Sequence, residues 1–267
     1  MKIFLFSKKF LLTCFSILVF SIVFFISLNE PFSFGMSISK NSFLSEDFQK
    51  EFSSITNSSE KIAYLTFDDG PTLKATSKIL DILKSENIPA TFFVIGKYVN
   101  HHPELVKRAY EEGHFIANHG YNHNNSKLYQ TDENFIQEVK NTDAEIGNAL
   151  GIPNYCSHVF RFPNGYMSSN YKSKKQRASS LLADLGYVYV DWNCLNKDSE
   201  KKYTQYQLLE NLKKSSKNKG TLIILMHDTS DVNDTPSILK DSITYLRTQG
   251  YEFHNFYDLI SKEDLIY

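Results

Sequence analysis

Two adjacent carboxylates, Asp68 and Asp69, follow the strand-like run Lys61–Thr66 and precede a Gly70-Pro71 break. Side chains of a strand alternate between its faces, so two neighbouring Asp residues can enter one site only where the strand ends and the backbone bends. Two carboxylates in one pocket repel each other unless a cation lies beside them. The segment therefore predicts a metal ion held by one carboxylate, with the other free as a base. Alone, it is also typical of a solvated turn.

Two histidines four residues apart, His119 and His123, follow the short, largely apolar run His114–Ala117. At this spacing both imidazoles lie on one face of a helical turn and can bind one metal through ring nitrogens. A pair of surface histidines has the same spacing. Combined with the Asp pair, the pattern predicts a site of two His and one Asp, and three protein ligands leave a position open for water or substrate, as in catalytic zinc sites.

Three further segments each stand where an apolar run ends. Separately they are compatible with a surface Arg before a turn, an aromatic anchor, and a His satisfied by the backbone. Their joint occurrence favours one shared site. The segments are Arg161-Phe162-Pro163-Asn164-Gly165, Asp191-Trp192, and Leu225-Met226-His227.

The ordered set of these five motifs resembles the polysaccharide deacetylase family over roughly residues 60–262. The resemblance implies a divalent metal, zinc first, with Co²⁺, Mn²⁺ and Ni²⁺ as alternatives. It also implies a role for each motif residue: general base at Asp68, metal ligands at Asp69, His119 and His123, general acid at His227, a base-orienting guanidinium at Arg161, and a carboxylate at Asp191 that holds and tunes His227.

The sequence departs from the family pattern at two positions. Asn164 replaces the aromatic residue that many members carry after the proline, and Gly120 replaces the Ser or Thr that often follows the first histidine. The backbone N–H of Asn164 is our candidate donor to the oxyanion, because a backbone donor survives any change of side chain. Trp192 and Leu225 are candidate walls of a pocket for the acetyl methyl group, although both are equally compatible with core packing.

The reaction that this set implies is metal-dependent hydrolysis of N-acetyl groups from cell-wall polysaccharide, namely the GlcNAc or MurNAc of peptidoglycan, with release of acetate. Bound zinc acidifies water toward a pKa of about 7 and polarises the acetyl carbonyl. Alternatives within the class are deacetylation of chitin-type, poly-N-acetylglucosamine or xylan chains. An alternative of another class is a catalytically silent carbohydrate-binding or scaffold protein, which would have no use for the free carboxylate of Asp68.

The N-terminus predicts the location of this chemistry. Lysines precede the apolar run Phe10–Leu28, which at about 20 residues is long enough to span a bilayer. We therefore expect a cytoplasmic stub and membrane anchor over residues 1–29, an extracellular spacer over 30–59, and an extracellular catalytic domain over 60–267. The protein is then a single-pass cell-membrane protein. A cleaved signal peptide, which would give a secreted protein, is the alternative.

Composition excludes some partners. With a formal net charge of −1, the chain lacks the excess of basic residues that is typical of nucleic-acid-binding proteins. A hydrophobic content of 42% argues against disorder. The expected partners are the acetylated polysaccharide and the membrane, and the sequence implies no protein partner. Cys156 and Cys194 are a candidate disulfide in an oxidising environment.

The domain is organised as a βα alternation. Five of its helical runs end on a glycine that is followed at once by a strand-like run, which predicts a parallel sheet with the motif residues at one rim. The pattern predicts a barrel or partial barrel, and the family resemblance implies a distorted (β/α)7 barrel. The predicted helices are Thr76–Ser85, Pro103–Glu112, Thr131–Leu150, Lys174–Leu185, Tyr206–Asn218 and Pro236–Gln249, and the glycines are Gly113, Gly151, Gly186, Gly220 and Gly250.

Overall fold

A parallel sheet carries the motif residues at one of its edges. The computed structural model describes residues 46–229 and 235–266. The strands are β1 Ile62–Gly70, β2 Thr91–Val94, β3 Phe115–Asn118, β4 Val159–Phe160, β5 Val188–Tyr189, β6 Cys194–Leu195, β7 Leu222–His227 and β8 Glu252–His254. The α-helices are α1 Glu46–Ser54, α2 Ala75–Glu86, α3 Gly96–His101, α4 Pro103–Glu111, α5 Asn125–Leu128, α6 Asp132–Leu150, α7 Lys172–Asp184, α8 Gln205–Ser216 and α9 Pro236–Thr248.

Strand β1 is the centre of the sheet. The strand order is β5-β4-β3-β2-β1-β7-β6, and all of the pairings along it are parallel. One edge of β1 is shared, because β8 pairs with its first residues, Ile62–Tyr64, and β2 pairs with its last, Thr66–Gly70. The expected parallel α/β architecture is therefore confirmed, with seven strands on one path and an eighth beside β1.

The distortion of the barrel lies between β5 and β6. These strands are at opposite ends of the strand order, and within the described ranges they do not pair with each other. Yet only Val190–Asn193 separates them in the chain. Five extended steps from Tyr189 to Cys194 span at most about 18 Å. The two ends of the sheet must therefore lie close together, and the chain itself crosses the gap with Asp191 and Trp192 on the crossing.

All six predicted helices are confirmed to within two residues at each end. Helix α6 shows why: the Thr131 side chain accepts a hydrogen bond from the Asn134 amide at its start, and Gly151 adopts a left-handed conformation at its end, with φ of 69°. Capping groups of this kind satisfy backbone groups that have no partner inside the helix. Helix α8 begins with a complete capping box between Thr204 and Gln207.

Gly220 has a different role from the one we predicted. It is not among the positive-φ glycines of the chain, and α8 ends four residues before it. A Cβ at this position would lie 2.1 Å from the Ser58 carbonyl oxygen. Glycine is needed here because the backbone of the chain preceding β1 passes too close for any side chain.

The hydrophobic core has two parts. The main part surrounds β1, β2 and β7, and the second lies around α6 and α7. Cys194 packs in the main cluster and Cys156 in the second, and the two thiols are not bonded to each other. This structure therefore contains no disulfide between Cys156 and Cys194, because the two side chains belong to separate parts of the core.

Helix α1 belongs to the domain rather than to a spacer. Its Phe52 side chain is 1% exposed and packs edge-on against Phe256, with ring centroids 5.1 Å apart. Gln49 accepts a hydrogen bond from the Tyr189 amide and donates one to the Tyr189 carbonyl, so it extends the pairing of β5. Residues 46–57, at the end of the segment predicted as a spacer, thus pack on the domain, where Phe48 and Phe52 bury apolar surface.

The predicted membrane anchor lies outside the described residues. Within residues 46–229 and 235–266, no helix combines the length and the apolar character that crossing a bilayer requires.

Phe52→Ala should lower the free energy of unfolding by about 3–5 kcal/mol, because it removes a buried ring and leaves a cavity. The matched control is Glu51→Ala on the exposed face of the same helix, which should change it by no more than about 0.5 kcal/mol. Urea unfolding of the two variants measures the difference. Equal and small effects would mean that α1 contributes nothing to the domain.

Candidate active site

The predicted site residues meet at the carboxyl ends of neighbouring strands. Asp68 and Asp69 are near the end of β1, His119 directly follows β3, Arg161 directly follows β4, and His227 is the last residue of β7. Asp68 and His227 are register partners in the parallel pair of β1 and β7. The carboxyl ends of neighbouring parallel strands lie at one edge of a sheet, so residues distant in sequence are brought together there.

A local irregularity in β1 turns both carboxylates into the site. The register between β1 and β2 shifts between Asp68 and Gly70, and Asp69 has a φ of 74°. A bulged residue breaks the alternation of a strand, so its side chain need not point to the opposite face. The left-handed conformation of Asp69 is uncommon for a residue other than glycine, and it is the backbone feature that separates the roles of the two aspartates.

Asp69, His119 and His123 converge on one point. Asp69 Oδ1 lies 3.3 Å from His119 Nε2 and 3.2 Å from His123 Nε2. Ligands at about 2.0–2.1 Å from a tetrahedral zinc lie about 3.3 Å from one another. Asp69 Oδ1 is also buried without a hydrogen-bond partner. The site thus offers two nitrogen donors and one oxygen donor at a spacing that fits a divalent metal ion. The unsatisfied Asp69 oxygen fits such an ion as well.

The histidines reach this arrangement from a loop, and the predicted helical turn is wrong. His119–His123 has no helical conformation, Gly120 has a φ of 79°, and His123 has a φ of 51°. These positive φ values take the backbone out of helical geometry, and the two ring centroids lie 5.1 Å apart. The spacing of four residues was informative about chemistry but not about secondary structure.

The backbone fixes the tautomer of His119. Its Nδ1 lies 2.7 Å from the Arg161 carbonyl oxygen, which can only accept. Nδ1 must therefore carry the proton and donate it to this carbonyl. The lone pair of Nε2 is left to face Asp69 and a metal ion, as in many protein metal sites where the second ring nitrogen is held by a neighbouring acceptor.

Arg161 holds Asp68. The guanidinium is fully buried, and its Nη1 donates to Asp68 Oδ1 and to the Thr66 hydroxyl, both at 2.7 Å. It also donates to the Val190 carbonyl at 3.1 Å and lies over the Phe93 ring at 3.9 Å. The other oxygen of Asp68, Oδ2, is 3.9 Å from His119 Nε2 and is not tied to Arg161. Asp68 thus presents one oxygen toward the candidate metal ligands.

His227 is held by Asp198 and not by Asp191. His227 Nδ1 lies 2.7 Å from Asp198 Oδ1, and the His227 amide donates to Asp198 Oδ2 at 2.8 Å. The Thr235 hydroxyl also donates to Asp198. Burial by itself would lower the pKa of His227, but the hydrogen bond and charge of Asp198, followed by Asp68 and Asp69, raise this pKa to about 9.

The predicted contact of Asp191 is therefore wrong. Both oxygens of Asp191 accept backbone hydrogen bonds at 2.8 Å, one from Tyr166 and one from Met167. Asp191 thereby fixes the loop that follows Arg161. Asp198 was missed because residues 196–201 form no strand or helix and show no periodicity. The available signal was an acidic residue three positions beyond the end of β6.

Burial and the neighbouring charges shift the pKa values of His119 and Asp69 in opposite directions. Burial by itself would lower the pKa of His119, but the charges of Asp68 and Asp69 outweigh burial and raise it. Burial would raise the pKa of Asp69, whereas its contact with His119 and the charges of the three histidines hold this pKa well below its usual range. Asp69 is therefore ionised over the physiological pH range, as a metal ligand must be.

The three predicted substrate-facing residues have different surroundings. Asn164 is exposed with a φ of 64°, and its side-chain oxygen accepts from Asn125 at 2.7 Å. Trp192 is partly buried, and its ring would lie 2.8 Å from a Cβ at Gly165. Leu225 is buried in β7. Their contacts with substrate remain predictions.

A parallel barrel with imidazoles and carboxylates at the carboxyl ends of its strands is typical of an enzyme active site. The family model for polysaccharide deacetylase matches residues 56–190. The chain belongs to the polysaccharide deacetylase family, which confirms the resemblance seen in its motifs.

Relatives support this membership over most of the chain. Peptidoglycan-N-acetylmuramic acid deacetylase PdaA of Bacillus subtilis is 30% identical over 246 residues, which are 89% of each chain. A peptidoglycan-N-acetylglucosamine deacetylase of Bacillus cereus is 34% identical over 74% of this chain and 70% of its own length. The structure of a Streptococcus mutans CE4 esterase superposes with a TM-score of 0.69 at 29% identity, over 78% of this chain and 90% of that one.

His119→Ala and His123→Ala should each weaken Zn²⁺ binding by at least about 100-fold, because each removes one of three ligands. The matched control is His101→Ala, an exposed histidine that should leave binding unchanged.

Acidification should weaken binding to the unchanged protein, since a proton on His119 excludes the metal and the raised pKa lets protons compete at higher pH. Competition titration with a chromogenic chelator measures all of these. Binding that survives both substitutions would place the metal elsewhere.

Proposed function

We propose that this protein removes N-acetyl groups from the GlcNAc or MurNAc residues of peptidoglycan, releasing acetate, with a divalent metal ion, preferably zinc, held by Asp69, His119 and His123. The observation that carries the proposal is the separation of the two aspartates: Asp69 joins the imidazoles, while Arg161 holds Asp68 apart from them. The names of the relatives from Bacillus subtilis and Bacillus cereus support peptidoglycan as the substrate.

The base of the proposed reaction is Asp68. When bound, the ion would polarise the acetyl carbonyl and acidify a water molecule. Asp68 Oδ1 is fixed by Arg161, so the free Oδ2 is the atom positioned to take a proton from water. Proton transfer at a positioned carboxylate typically contributes about 10²–10⁴-fold in rate.

The acid of the proposed reaction is His227. Asp198 occupies Nδ1, so the proton available for donation is the one on Nε2, which lies 4.0 Å from Asp69 Oδ2 and faces the cluster. Donation to the departing nitrogen would complete cleavage of the amide. The backbone N–H of Asn164 remains our candidate donor to the oxyanion, and Asp191 would support it indirectly by holding the following residues, Tyr166 and Met167.

The location of the protein follows from the same proposal. A membrane anchor within residues 1–29 would keep the catalytic domain outside the cell and within reach of the wall, whereas cleavage in this region would release it. The lysines before the apolar run and a substrate found outside the membrane support this orientation.

Asp68→Asn should reduce acetate release from N-acetylated peptidoglycan by at least about 10²-fold while Zn²⁺ stays bound, because the base is removed and all three metal ligands are kept. The substitution also removes the charge opposite Arg161, so it should lower the melting temperature as well. Asp69→Asn, at the adjacent carboxylate, should lose both metal and activity. A coupled acetate assay with and without chelator, run in parallel on chitin oligomers and acetylated xylan, measures turnover and ranks the substrates. Full activity of Asp68→Asn would refute the assignment of Asp68 as the base. Metal binding by the unchanged protein without turnover on any polymer would favour a catalytically silent binding protein.

The rate should fall as pH rises through the pKa of His227, because only the protonated imidazole can donate. A bound cation lowers this pKa, so the value of about 9 is the upper limit for the alkaline limb. Asp198→Asn should move this limb to lower pH, since it removes the charge that raises the pKa. Asp191→Asn is the matched control and should leave the limb in place. Profiles of kcat/KM against pH measure the position of this limb in each variant. An unmoved limb in Asp198→Asn would contradict the assignment of His227 as the acid.

A further inference from the structure

The two histidines of the cluster are joined by a short loop, His119–His123, which we call the histidine loop. Two of its five residues, Gly120 and His123, have positive φ. A histidine in the left-handed region is held there at a cost that the surrounding structure must offset. The position of the His123 ring therefore depends on what fixes the backbone of the histidine loop.

Hydrogen bonds to the carbonyls of the histidine loop come from the start of α3. Gly96 donates to the Gly120 carbonyl at 3.0 Å, and Lys97 donates to the Tyr121 carbonyl at 3.1 Å. The amide of Gly120 donates to the Asn118 side chain at 2.9 Å. These contacts fix the first half of the loop but leave the amides of Tyr121 and Asn122 to another partner.

That partner is Glu138 on α6. Its Oε2 accepts from the Tyr121 amide at 2.8 Å and from the Asn122 amide at 2.9 Å. Its Oε1 accepts from the Asn122 side chain at 2.8 Å. Hydrogen bonds to an ionised acceptor are roughly twice as strong as neutral ones. One carboxylate thus takes three donors from the segment immediately before His123.

Position 120 lies beside this contact. Gly120 has no side chain that could bond to its own loop, and a Cβ at this position would lie only 3.8 Å from Glu138 Oε2. The carboxylate therefore lies directly beside the glycine, where it holds the loop from outside. Because α6 packs against the domain through buried residues such as Phe135 and Val139, Glu138 is attached to a rigid element.

We propose that Glu138 is a positioning residue for the metal site: it fixes the backbone of the histidine loop so that the His123 ring points at Asp69 and His119. The inference rests on the proposed function only in that these three residues bind a divalent ion. Glu138 does not touch the site itself, and it acts through the amides of Tyr121 and Asn122.

The test is titration of the full-length protein with Zn²⁺ and with Co²⁺. Glu138→Ala should weaken Zn²⁺ binding by about 10-fold or more, the range found for groups that orient metal ligands. Its Co²⁺ absorption spectrum should also change, because displacement of His123 alters the coordination geometry. Glu138→Gln should bind within about threefold of the unchanged protein, since its amide oxygen still accepts both backbone hydrogen bonds. Glu138→Asp is too short to span both amides and should resemble Glu138→Ala.

Two control variants on the same helix separate positioning from stability and from charge. Thr131→Ala removes the cap of α6 and should lower the melting temperature without changing metal affinity. Glu133→Gln removes an exposed negative charge of α6 and should leave affinity unchanged. Unchanged affinity and an unchanged Co²⁺ spectrum in Glu138→Ala would overturn the inference, as would an equal loss in either control. If Glu138→Ala fails to fold, equal affinities of Glu138→Gln and Glu138→Asp would overturn it.

The same titration keeps this inference separate from the proposed function. If the unchanged protein binds Zn²⁺ but releases no acetate from any polymer, the proposed reaction fails and the affinities of the Glu138 variants still decide the role of Glu138. If the unchanged protein releases acetate and Glu138→Ala binds metal normally, the role of Glu138 fails alone.

Discussion

The site depends on a positive charge buried in the barrel. Arg161 has no exposed surface, and its buried guanidinium requires a partner carboxylate and acceptors for its donors. Asp68 is that partner, and Thr66 and the Val190 carbonyl take further hydrogen bonds. Loss of either member of such a pair leaves the other charge buried alone, at a cost of about 3–5 kcal/mol. The conformation of Asp68 is thus fixed by its pairing with Arg161, because moving Asp68 away would leave the guanidinium buried without its partner.

Arg161 also links Asp68, the proposed base, to the proposed metal ligands. Its side chain orients Asp68, and its backbone carbonyl accepts the Nδ1 proton of His119, so one residue sets both the carboxylate and the tautomer of the imidazole. The bulge at Asp69 then directs the second carboxylate toward the histidines. Charges that would repel one another are divided between two partners: Asp68 is paired with a buried cation, and Asp69 with imidazoles and the ion that they would share.

Sequence was sufficient for the residues that lie at strand ends and insufficient for those held by tertiary contacts. Asp68, His119, Arg161 and His227 could be predicted because their motifs follow apolar runs, and parallel strands bring such ends together. Asp198 and Glu138 could not, since one follows β6 in a segment without periodicity and the other is an ordinary polar residue of a helix surface. Their roles depend on which loop packs beside them. The helical turn predicted for the histidines failed because Gly120 and His123 have positive φ, which a right-handed helix does not allow.

The central claim is that Asp69 binds the metal and its neighbour Asp68 does not. Anomalous diffraction from crystals grown with Co²⁺ tests it most directly, because it locates the ion and its ligands independently of activity. We predict one ion with nitrogen ligands from His119 and His123 at about 2.0–2.1 Å and an Asp69 oxygen at about 2.0–2.2 Å, with Asp68 still bonded to Arg161 outside the coordination sphere. An ion bound by Asp68, or no ion at this cluster, would contradict the account.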